Sequence, residues 1–232
     1  MNTLAITDKL TQKVIDSKGT NQARCREIMG RNFFGVEEAI THFEVSFSKH
    51  EGALLADVPF TEETVTTCKY THVLVAVFPL SILDIRRRVD RNLFSCRCLG
   101  RNHQDSIHED SWYNQQAFAK DCGKIGWHLV RKTYVPDSIK KTWDKQQELL
   151  GQDEETPSAR VLIYTIIGHF LSSGENRERL FEDLPDVRCS DLISPGRGVV
   201  VGGLDGALGI RSSDFSHDDR LCSLGVASAR KL

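Results

Sequence analysis

Cys96, Cys98, His103 and His108 fall within one short polar stretch, CRCLGRNHQDSIH. Thiolate and imidazole are the ligands of tetrahedral zinc sites, so these four residues could hold a structural zinc ion. The spacing departs from a standard finger, because C-x-C stands where C-x₂₋₄-C is usual and the gap to His103 is short. The competing reading is a polar surface loop with incidental Cys and His. Just upstream, RRRVDR places Arg86, Arg87, Arg88 and Arg91 together. On a helix such a cluster could meet phosphate. Asp84 and Asp90 flank it, and no interleaved aromatics offer base stacking. A solvated, salt-bridged face is the simpler reading. Together the two clusters define one functional alternative, a zinc-stabilised or nucleic-acid-associated module.

Other residues with chemical potential are weaker. His217 and Cys222 could pair as base and thiol nucleophile, but no glycine-bearing strand–helix turn surrounds them. The neighbours Glu62/Glu63 and Glu154/Glu155 cannot act as facing acids on a helix, where adjacent side chains diverge. Capping is their simpler role. There is no P-loop and no G-x-G-x-x-G. His169 falls inside an apolar helical run and reads as a hydrogen-bonded core histidine. These residues predict no enzyme and no cofactor.

The chain has 232 residues, enough to bury a substantial core without staples. Its formal net charge of −2 provides no global basic field for nucleic acid. The N-terminal stretch is polar and lacks the apolar segment of a signal peptide. The longest apolar run, VLIYTIIGHFL, stops short of the roughly 18 residues that span a bilayer. Seven scattered cysteines, an odd number, point to reduced thiols and synthesis in the cytoplasm. Later release, or incorporation in a virus particle, stays compatible with that.

The elements that must position any site read as follows. Residues 1–30 form an arm or a short helix. GVEEAITHF places Val36, Ile40 and Phe43 on one helical face. SKHEGALLADV and FTEETVTTCK predict two further short helices, the second capped by Thr61. Val73–Phe78 is a continuous β-branched and aromatic run stopped by Pro79, which predicts a strand buried on both faces. GWHLVRKTYVP predicts a second strand around Trp127 and Leu129. SIKKTWDKQQELLG has Trp143, Gln147 and Leu150 at helical spacing. TPSARVLIYTIIGHFLSSG predicts the central helix, with Thr156 as cap, Pro157 at the first position and Gly174 at the close. Its apolar face comprises Val161, Leu162, Ile166, Ile167 and Phe170. DVRCSD, GVVVGG and LGVASARK predict short strands, the last a single closing strand over 224–231. The order of helices and strands predicts an α+β domain.

The stretch from Gly196 to Leu224 is compositionally odd. It contains no Lys, Glu, Gln, Met or Trp. Those types supply roughly a sixth of the chain, so about five would be expected in such a window. If either adenine of a pyrimidine-ending Asn codon may become any base, these five residue types cannot be reached. Arg211, Ser212, Ser213, Phe215, Ser216, His217, Asp218, Leu221, Cys222 and Ser223 all lie within the reachable set. A plain Gly/Ser/Asp-rich loop between strands has a similar composition.

With these features the chain resembles the variable proteins of diversity-generating retroelements. The resemblance covers roughly the last hundred residues: GWHLVRKTYVPDS, ETPSARVLIYTIIGHFLSSGE, RLFEDLPDVRCSD, a V-x-V-G-G strand, and a closing L-G-V strand. FFGVEEAI and THVLVAVFPLSILDIR look like segments of such proteins in candidate-phylum bacteria, archaea and their viruses. The resemblance implies a C-type-lectin-like α+β fold, related to formylglycine-generating-enzyme domains. Residues 1–70 would be an N-terminal arm and short helices packed on the core, and residues 71–232 the lectin-like domain, with a variable region at about 198–224. Val199, Val201, Leu208, Ile210, Leu224 and Val226 would anchor the strands. It further implies binding of a variable macromolecular ligand, a protein or cell-surface molecule, with no membrane insertion. The implied ligand-binding residues are Gly203, Leu204, Ala207, Gly209, Arg211, Ser212, Ser213, Phe215, Ser216, His217, Asp218, Leu221, Cys222 and Ser223. The calcium–sugar motifs E-P-N, Q-P-D and W-N-D are absent, so neither calcium nor carbohydrate is expected. Formylglycine-type enzymes use a cysteine pair, whereas Cys222 falls in the diversified stretch, so no catalysis is expected of it.

Overall fold

Six consecutive residues, His72–Val77, are all buried, and they form the strand about which the molecule is layered. The computed structural model describes residues 19–90, 93–95, 112–174, 179–181, 186–204, 207–214 and 224–232. Among these the helices are α1 (Gln22–Met29), α2 (Val36–Phe43), α3 (Lys49–Leu54), α4 (Glu62–Cys68), α5 (Ile82–Arg88), α6 (Ala117–Lys120), α7 (Trp143–Gln147) and α8 (Ala159–Ser172). The strands are β1 (Thr20–Asn21), β2 (Phe33–Phe34), β3 (Asp57–Val58), β4 (His72–Val77), β5 (Phe94–Ser95), β6 (Gly126–Arg131), β7 (Glu154–Glu155), β8 (Asp186–Ser194), β9 (Arg197–Leu204), β10 (Ala207–Asp214), β11 (Leu224–Val226) and β12 (Ala229–Arg230). The architecture is mixed α and β. One five-stranded sheet has the order β2-β4-β6-β12-β7, a second the order β11-β8-β9-β10-β5, and β1 pairs with β3.

Helix α8 packs against both large sheets. Ten of its residues are buried, on every side, which is wider than the single apolar stripe read from the sequence. Ile166 and Phe170, expected on that stripe, are only half-buried. On the α8 side of the first sheet, Phe34 meets Tyr164 edge to face. On the opposite side, Phe33 packs on Trp127, whose indole N–H donates to the Leu55 carbonyl. The segment before residue 70 thus covers one face of the first sheet and contributes β2 to it.

Several expected details shift for identifiable reasons. The cap of α8 is Ser158, which accepts from the Val161 amide, and Asp191 accepts from the Ala159 amide at 2.5 Å. Thr156 instead bonds the Gln147 side chain, and the Pro157 carbonyl accepts from Ser190 on β8, which keeps Pro157 outside the helix. Gly174 does follow the helix with φ +61°, a conformation that glycine adopts without strain. In α2 the buried pair is Ala39 and Phe43, while Ile40 is 45 % exposed, because the helix turns its i, i+4 row inward. Helix α7 is one turn shorter than its pattern suggested and buries Gln146, not Gln147. Thr61 caps α4 as expected.

The expected single closing strand is two strands in two sheets. β11 runs parallel to β8, and β12 runs antiparallel to β6. Between them Ala227 and Ser228, both fully buried, carry the chain from one sheet to the other. Their small side chains let the backbone pass between the layers. The Ala227 amide donates to Arg188, and the Ser228 carbonyl accepts from Arg131.

Candidate binding surface

Strands β8, β9 and β10 form an antiparallel meander, flanked by parallel pairings of β11 on β8 and of β5 on β10. Alternation puts Val199 and Val201 of β9 toward α8, with Leu208 and Ile210 of β10, whereas Leu224 and Val226 of β11 register with Asp186 and Arg188 on the other face. All six are buried. Of the apolar anchors expected from the sequence, Val199, Val201, Leu208 and Ile210 thus join the core beneath α8, while Leu224 and Val226 are buried on the opposite face. The Ile210 carbonyl also accepts from the Trp112 indole N–H at 3.3 Å, which ties β10 to the turn at Trp112.

The second face of this sheet sets Arg188, Asp186 and Arg211 beside Val200, Leu224 and Val226 and is also largely buried. Arg188 is 1 % exposed and donates to the Lys141 carbonyl at 3.0 Å and to Gln146 Oε1 at 2.9 Å. The amide of Gln146 donates in turn to the carbonyls of Ser138, at 2.7 Å, and Leu224, at 3.1 Å. Ser138 Oγ accepts from the Val226 amide, and the Val226 carbonyl accepts from Val135. Gly225 lies against this segment: a Cβ there would stand 2.7 Å from Tyr134 Cβ. Side chains and backbone of residues 134–146 thus hold β11, the strand that receives the chain after residue 223.

The residues expected to bind ligand fall into three groups. Gly203 and Leu204 end β9, and Ala207 begins β10, with Leu208 opposite Gly203 and Ala207 opposite Leu204. Gly209 is buried, Ser212 is exposed, and Ser213 lies opposite Gly198 on β10. Arg211 differs from an exposed contact residue. Its side chain is 16 % exposed and pairs with Asp186 on β8 at 2.7 Å. Burial raises the Asp186 carboxyl, and the Arg211 charge works against that rise. Phe215, Ser216, His217, Asp218, Leu221, Cys222 and Ser223 lie outside the described residues, as do Cys96, Cys98, His103, His108 and Arg91.

The arginines of α5 are held by the fold. Arg86 donates to the Tyr113 hydroxyl, Arg87 pairs with Asp84 at 3.1 Å, and Arg88 donates to the carbonyls of Phe43 and Glu44. Among the described residues no group of three His, Cys, Asp or Glu could hold a metal ion. Also among them, no helix is long and apolar enough to cross a membrane, and Cys25, Cys68, Cys122 and Cys189 are free thiols.

Sequence reasoning missed Asp186, Ser138, Gln146 and Arg188. The only signal for Gln146 was its place in an amphipathic run, and the helical count favoured its neighbour by one position. Compared with protein-family models, curated proteins and solved structures, the chain matches none.

Proposed function

We propose that the chain is a binding protein of C-type-lectin type that displays a retroelement-diversified C-terminal surface. Its ligand is macromolecular, a protein or a cell-surface molecule, and the chain is not an enzyme. The observation that carries this reading is a coincidence of composition with anchoring. The window Gly196–Leu224 excludes the five residue types that adenine mutagenesis of an Asn codon cannot reach, and its core-facing positions are apolar and buried. Exposed side chains beyond such anchors, Ser212 among the described residues, can change without repacking the core, because exposed substitutions cost little stability. Ser, Asp, His and Phe make an adaptable contact set of the kind antibody loops use.

The DNA around the gene tests the reading. A nearby near-copy of the 3′ end, differing only where that copy has adenine, is expected beside a reverse-transcriptase gene. Absence of both would leave 196–224 as a Gly/Ser/Asp-rich loop region and remove the reading.

A further inference from the structure

Strand β9 lies between β8 and β10, so Asp186 and Arg211 stand two strands apart, about 10 Å in the plane of the sheet. Their pairing across β9 depends on what β9 and β10 present on that face. Val201 opposes Val187, which places Gly202 beside Asp186, and Gly209 lies directly opposite Gly202. One row of the face therefore reads Asp186, Gly202, Gly209. The Arg211 guanidinium reaches back along this row: a Cβ on Gly209 would lie 3.8 Å from its Nε and 3.9 Å from its Nη2. Two glycines thus leave an open path on which a long side chain can cross the middle strand. The next row reads Arg188, Val200, Arg211, with Arg188 and Val200 both buried.

Asp186 is also the residue that pairs with Leu224, the first residue of β11. The ion pair therefore ties β10, the strand leading into residues 215–223, to the β8/β11 pair that receives the chain afterwards. We infer that the Arg211–Asp186 pair is a positioning clasp for the binding surface, which fixes position 211 within a segment whose other outward residues are free to vary. The inference rests on the proposed function for the word "vary"; the clasp itself stands on geometry. It removes Arg211 from the recognition set and leaves Ser212, an exposed residue past Ile210 toward the end of β10, as a described position that can contact ligand.

The chemistry explains why arginine serves here. A guanidinium spans the width of β9 and donates from a fixed planar fork, whereas lysine offers a shorter-reaching point charge. Removing one partner leaves the other charge in a site that is 16–17 % exposed, and this costs far more than losing a surface pair. Replacing both partners by apolar residues relieves that penalty.

The test uses purified full-length chain and needs no ligand. Arg211→Ser and Asp186→Ala are each expected to lower the thermal midpoint by about 5–10 °C. Arg211→Lys should recover part of that loss, and the Asp186→Leu/Arg211→Leu double variant most of it. Ser212→Arg and Ser212→Phe should stay within about 2 °C of the parent. Gly202→Val, which plants a branched side chain on the crossing path, should reproduce the loss of Arg211→Ser and add little to it in combination. Equal tolerance of substitution at 211 and 212, or additive losses in the double variant, would overturn the clasp. Failure of the gene-neighbourhood test leaves the clasp intact, and failure of the clasp leaves residues 215–223 as the proposed surface.

Discussion

Gln146→Ala is expected to lower the thermal midpoint by about 10–15 °C, one of the largest losses available from a single side chain. Gln146 is fully buried and makes three bonds at once: it accepts from Arg188 and donates to the Ser138 and Leu224 carbonyls. Alanine removes one acceptor from a guanidinium that is 1 % exposed and leaves two buried carbonyls short of a donor. Depriving a buried charge of a partner costs about 3–5 kcal/mol. In a chain of this size each kcal/mol shifts the midpoint by roughly 2–4 °C. Gln147→Ala is the matched control. Gln147 is half-buried and bonds only the Thr156 side chain, so a loss of about 3 °C or less is expected. Equal effects at 146 and 147, measured by calorimetry, would contradict the network that holds β11.

Acidification should weaken the fold well before its exposed carboxylates are protonated. His72 lies on β4, 2 % exposed, with Nδ1 against the Thr71 hydroxyl at 2.8 Å. Burial, helped by the charges of Arg131 and Arg230, holds its imidazole down at about 4. His128, on the α8 face of β6, is likewise held at about 4 by burial and by Arg160. Both are neutral in the folded chain, while an unfolded histidine takes up its proton near 6.5. Between those values the unfolded state binds more protons, so stability is full above about pH 6.5 and falls as pH drops toward 4. For His72 the upper bound is about 3 kcal/mol; half-buried His128 adds less. Asp186 and Asp191, whose carboxyls are raised by burial, bind protons earlier in the folded state and so offset part of the loss at the acid end. Urea midpoints at pH 7 and pH 4.5 should differ clearly, and His72→Leu should flatten the difference. Identical midpoints in the parent chain would contradict the buried neutral imidazoles.

Much of the scaffold was legible because it rests on apolar periodicity. The run VLVAVF, the helix around Val161–Ile167 and the anchors Val199, Val201, Leu208 and Ile210 declare burial through residue type alone. The polar half of the design was not legible. Arg188, Gln146, Ser138 and Asp186 look like surface residues until the fold brings each to a partner far along the chain, as with Gln146 and Leu224. Arg211 shows the same limit within the C-terminal segment. Its type and neighbours suit an exposed contact, and only the register Gly209–Gly202 beside Asp186 reveals the crossing. The division of 224–231 into β11 and β12 was hidden for a related reason. A small-residue step such as Ala227–Ser228 reads equally well as the middle of one strand.

The central claim is tested most directly by a displayed library in which Phe215, Ser216, His217, Asp218, Leu221, Cys222 and Ser223 are randomised within the adenine-reachable residues. The library is sorted against one folded bait protein. The expected result is that most unsorted clones melt within about 5 °C of the parent and that sorting enriches binders whose affinity is lost when the parental residues are restored. A library whose members largely unfold, or which yields no binder while staying folded, would contradict a diversified binding surface carried by a tolerant scaffold.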